Sequence, residues 1–95
     1  MPAVADYAHM PTEAIAERLR TVQGGARLAA AHRLLAEARR SERDTGMTPV
    51  GALARACGNY AVAQTVMEAG RRVARSQKRA PRAVMARLLV LLIAP

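Results

Sequence analysis

The chain has no tryptophan and no phenylalanine, and Tyr7 and Tyr60 are its only aromatic residues. So few flat side chains exclude a base-stacking platform of the kind that grips single-stranded nucleic acid, which needs several aromatic faces. Cysteine is equally scarce. Cys57 stands alone, so no intramolecular disulfide can form, a composition compatible with a reducing cytoplasm. His9 and His32 lie 23 positions apart and far from Cys57, which is no zinc spacing, so no metal and no cofactor are expected. Gly24 and Gly25 lack the further glycines and the lysine of a phosphate loop. Glu13, Glu17 and Arg20 share a helix face and read as a surface ion-pair ladder rather than an acid and base, so no enzyme is expected.

Long hydrophobic runs are missing too. The longest, from Leu88 to Ala94, has seven residues, and extending it back to Val84 across Arg87 gives eleven. A bilayer needs about 20, so no membrane span is expected. Met1 to Met10 includes Asp6 and lacks the basic-then-apolar order of a secretory signal, which favours a cytoplasmic location.

What is present is alanine, arginine and helix punctuation. Of 49 hydrophobic residues 22 are Ala, and eight of the 24 larger aliphatics crowd into the last twelve positions. Ala, Leu and Arg lose little on entering a helix, so the chain is expected to be all-α, a small bundle of about five helices forming one domain. Its parts read as an extended N-terminal arm over 1–11, a helical hairpin over 12–46, a candidate helix-turn-helix over 48–80 and an apolar C-terminal helix over 81–95. Thr12 is placed to cap the first helix, with Ile15, Leu19 and Val22 on its buried side. Leu28, Ala31, Leu35 and Ala38, with Leu34 beside them, face inward from the second, which spans about Ala26 to Arg43. Thr48 before Pro49 marks a sharp helix start, Gly58 a stop, and Asn59 the cap of the next helix, which runs to Lys78 or Arg79 before Pro81. Gly70 raises the question of whether that helix is continuous.

The missing acids give the charge its pattern. Residues 1–70 carry eight Arg and seven Asp or Glu, a net of +1, whereas residues 71–95 carry seven cations and no acid, for a total of +8. Six of these cations, Arg71, Arg72, Arg75, Lys78, Arg79 and Arg82, fall within twelve positions. At 100° per residue Val62, Val66, Ala69 and Val73 take one side of the helix, and Arg71, Arg75, Lys78 and Arg82 the other.

A short helix, a glycine turn and a longer helix with polar residues early and cations late outline a reader of double-stranded DNA. Asn59, Tyr60 and Gln64 are then the base-edge candidates, and Arg71, Arg72, Arg75, Lys78, Arg79 and Arg82 the phosphate contacts. Ala54 and Gly58 suit such a motif. Gln64 departs from it, standing where a buried aliphatic is usual, and Glu68 would face the DNA. The functional expectation is a small basic DNA-binding, transcription-regulating protein. Leu88, Leu89, Leu91 and Leu92 surround the last helix too widely for one thin layer to cover, so they are expected to join a homodimer or a heteromeric partner. The alternative is a protein-interaction module, an inhibitor or adaptor of phage or mobile-element type, whose arginines meet an acidic protein surface.

Overall fold

The computed structural model describes residues 4–93, which form six helices and, among the described residues, no strand. They are α1 (Asp6–His9), α2 (Thr12–Leu19), α3 (Ala26–Thr45), α4 (Pro49–Cys57), α5 (Tyr60–Gln77) and α6 (Pro81–Ile93). The radius of gyration is 12.4 Å, against about 12 Å expected for one folded unit of this length. The all-α bundle anticipated from composition is present, with one helix more than expected.

Helix α5 is the axle of the bundle. It packs against α1, α2, α4 and α6, while α3 lies on α4 and α6. Its inner stripe contains the anticipated Val62, Val66, Ala69 and Val73, widened by Ala63, Gly70 and Ala74. Small residues on this stripe let neighbouring helices approach closely. Gly70 is the extreme case: a Cβ there would sit 2.7 Å from Met85 Cγ on α6, so α5 runs unbroken through a glycine whose missing side chain admits its neighbour.

Punctuation chemistry explains most boundaries. Thr48 Oγ1 accepts from Gly51 N–H at 3.2 Å and opens α4 with Pro49 in the first turn. Asn59 Oδ1 accepts from Val62 N–H at 3.0 Å and opens α5. Gly46 and Gly58 end α3 and α4 in left-handed conformations, at φ 71° and 76°.

Four local expectations need correction. The stretch 1–11 is not simply an extended arm, because residues 6–9 form a helical turn that buries Tyr7 to 1% exposure. An aromatic ring in a core this poor in large side chains is worth burying even from a short segment. Thr12 is not a cap; α2 starts on it, after Pro11, with no side-chain cap bond. That helix also stops at Leu19, short of Gly24 and Gly25, and Val22 is buried from the turn beyond. Finally, α2 rests on α5 and α6 and α3 on α4 and α6, so the principal packing over 12–46 is not a hairpin of these two helices.

The apolar tail is divided. Leu88 and Leu89 are fully buried within the chain, which leaves them no surface to offer a second molecule. Leu91 and Leu92 are half-buried and Ile93 is 39% exposed.

Candidate nucleic-acid interface

The outer face of α5 carries Tyr60, Gln64, Glu68, Arg71, Arg75 and, just past its end, Lys78, all exposed. Residues spaced by three or four along a helix share a face, so this row follows directly from the inward valines. Tyr60 is the most exposed large hydrophobic residue among those described, at 59%. Arg71, Arg75 and Lys78 make no ion pair with any described residue. Glu68 interrupts the row with a negative charge one turn before Arg71.

The six cations of the 71–82 segment do not form one stripe. Arg72 points to another side of α5, where Nη2 donates to the carbonyl oxygens of Tyr7 at 3.4 Å and Met10 at 3.5 Å. Both carbonyls stand at the end of α1, where Tyr7 O also accepts from Met10 N–H at 3.4 Å, so Arg72 has a structural task in holding the N-terminal turn. Arg79 lies past the end of α5 and lines a hollow with Leu19 and Val22, away from the outer face. The helix stops because Lys78 adopts a left-handed conformation, φ 52° and ψ 46°, and Arg79 N–H donates to Ala74 O at 2.9 Å, closing a Schellman motif. Arg82, in the first turn of α6, returns toward Arg71, and both line a groove with Arg39 of α3.

That groove has an apolar floor that includes Leu35, Ala38, Leu53, Met67 and Met85, a volume of about 290 Å³, and Glu42 at its edge. Arg39 was not among the sequence candidates, since it belongs to the stretch 1–70, whose charges nearly balance. A second groove, along the start of α4, brings Pro49 and Val50 beside Gln64, Met67 and Arg71. Helix α4 therefore folds back along α5 instead of standing clear of it.

Among the base-edge candidates, Asn59 is partly occupied, because its Oδ1 caps Val62. Tyr60 and Gln64 are exposed and remain available. Gln64, where the motif prefers a buried aliphatic, faces outward, and the buried place is filled by Ala63 and Val66. Cys57 is half-buried with Sγ 3.5 Å from the carbonyl oxygen of Asn59. Among the described residues no His, Cys, Asp and Glu group is arranged to hold a metal ion, and no helix is long and apolar enough to cross a membrane. Compared with known proteins, the chain matches no family model, no curated protein and no solved structure.

Proposed function

We propose that the protein binds double-stranded DNA through the outer face of α5 and acts as a small transcription regulator, a binding protein rather than an enzyme. The observation that carries this reading is the row of exposed, unpaired cations Arg71, Arg75 and Lys78 in line with the polar Tyr60 and Gln64. Cations without a protein counter-ion on an ordered helix are suited to phosphate, and a glutamine on the same face can pair with adenine. Arg82 and Arg39 extend the phosphate-contacting set beside Arg71. Arg72 and Arg79 are left out of it because they serve other sides of the helix. Leu91, Leu92 and Ile93 are the surface by which two copies, or a heteromeric partner, would join.

The test is duplex binding at 50 and 200 mM salt by the wild type and the Arg71→Ala, Arg75→Ala, Lys78→Ala triple variant. Each phosphate contact adds about 0.9 to the slope of log K against log salt. Losing three contacts flattens the slope by about 2.7, so the wild type should lose ~40-fold more affinity than the variant over that fourfold change in salt. Equal slopes would remove these residues from the phosphate contact.

One observation favours a second reading, a protein-interaction module for an acidic partner. The groove rimmed by Arg39, Arg71 and Arg82 has an apolar floor, which suits a carboxylate-bearing amphipathic segment better than a hydrated phosphate backbone. Absence of duplex binding by the wild type at 50 mM salt would move the assignment to this partner class.

A further inference from the structure

Arg87 is the one charged residue in the stretch from Ala83 to Ala94, and the function proposed above gives it no role. It is half-buried in α6 and makes neither an ion pair nor a hydrogen bond with any described residue. A guanidinium carries five donors in a rigid fork and is costly to desolvate without an acceptor. The side chains that share its hollow supply mostly further donors, the Gln77 amide oxygen being the one acceptor among them. Arg87 lines a hollow of about 230 Å³ with Arg20 from the end of α2, and Gln77 and Arg79 from the end of α5. Leu19, Val22, Val73 and Val84 form its apolar part, and no carboxylate lines it.

We propose that this hollow is a binding site for a small ligand bearing a terminal phosphate, held by Arg79 and Arg87 with Arg20 and Gln77 at its border. Charge selects the ligand class. Glu17 pairs with Arg20, which leaves Arg79 and Arg87 as an uncompensated +2. A phosphate monoester carries about −1.5 to −2 at neutral pH and accepts forked bonds from arginine. A phosphodiester in a nucleic-acid backbone has a single charge and is flanked on both sides by sugar, so it matches the +2 charge of this hollow less well than a terminal phosphate does. Size agrees, since about 230 Å³ falls below the roughly 300–1,000 Å³ of sites for larger organic ligands. The site is separate from the outer face of α5 and does not depend on the DNA reading.

The experiment is titration of the protein with inorganic phosphate and with adenosine 5′-monophosphate at fixed ionic strength, followed by calorimetry and by 31P line broadening. A DNA duplex with hydroxyl ends serves as competitor. Saturable binding of one phosphate per chain is expected, weakened tenfold or more by Arg79→Gln and by Arg87→Gln. It should be unchanged in the Arg71→Ala, Arg75→Ala, Lys78→Ala variant and resist displacement by the duplex. Arg79 is exposed, so Arg79→Gln keeps the test decisive even if the change at Arg87 disturbs folding. Lack of saturation by either small phosphate, undiminished binding by Arg79→Gln, or loss of binding in the α5 triple variant would each overturn the proposal.

Discussion

Replacing Gly70 with alanine sets two opposed effects against each other, and the geometry decides between them. Alanine is favoured over glycine inside a helix by about 1 kcal/mol. In isolation α5 would gain by the change. The new methyl would, however, lie 2.7 Å from Met85 Cγ, whereas carbon atoms rest about 3.5–4.0 Å apart, so α5 and α6 or the Met85 side chain must yield by roughly 1 Å. Overpacking of this kind costs about 1–3 kcal/mol, and Cγ is too close to the Met85 backbone to swing away as a methionine tip does. The net expectation is a loss of about 1 kcal/mol, seen as a fall in Tm of roughly 4–8 °C. A double-mutant cycle with Met85→Ala makes the reasoning strict. With Met85 shortened, the clash is gone and Gly70→Ala should become stabilising by up to about 1 kcal/mol, a coupling of roughly 2 kcal/mol between the sites. Additive effects, or a higher Tm for Gly70→Ala alone, would refute the account of how α6 docks.

Other substitutions test separate parts of the structure. Lys78→Gly should raise stability by about 0.5–1 kcal/mol in a thermal melt, because glycine accepts the left-handed cap that lysine adopts under strain, while duplex affinity falls through the lost cation. Asn59→Ala should cost about 1 kcal/mol in denaturant unfolding by removing the bond that starts α5. Tyr7→Ala should cost about 3 kcal/mol or more, whereas Tyr60→Ala should change stability by no more than about 0.5 kcal/mol and act on binding instead. Arg72→Ala should speed amide exchange in residues 6–10 while leaving the salt dependence of duplex binding unchanged, since this arginine holds α1.

Features that depend on one helix at a time were legible in the sequence. The valines of α5 repeat at the helical period, and Thr48, Pro49, Gly46 and Gly58 each have a backbone preference that names their place. Features created by pairs of helices were not. Gly70 looked like a weak point because its value lies in Met85, fifteen residues away. Arg72 looked like part of a charged stripe because its acceptors, the carbonyls of Tyr7 and Met10, lie more than 60 residues earlier. Lys78 gave no warning of a left-handed conformation, which is ordinarily left to glycine or asparagine. The candidate face was therefore readable as far as Tyr60, Gln64, Arg71, Arg75 and Lys78, whereas the convergence of Arg39 with Arg82, and of Arg20 with Arg79 and Arg87, required the packing.

The position of α5 at the centre of the bundle has a further consequence. A helix with neighbours on several sides cannot tilt or unwind to suit what it touches without disturbing the whole core. Its exposed row is consequently a template of fixed spacing, and the ordering of that backbone is completed in folding instead of at the moment of association. Adaptation has to come from the long, freely rotating ends of the arginines and from the partner. A molecule recognised by this face must already have its negative charges at the helix's own repeat, or be pliant enough to bring them there.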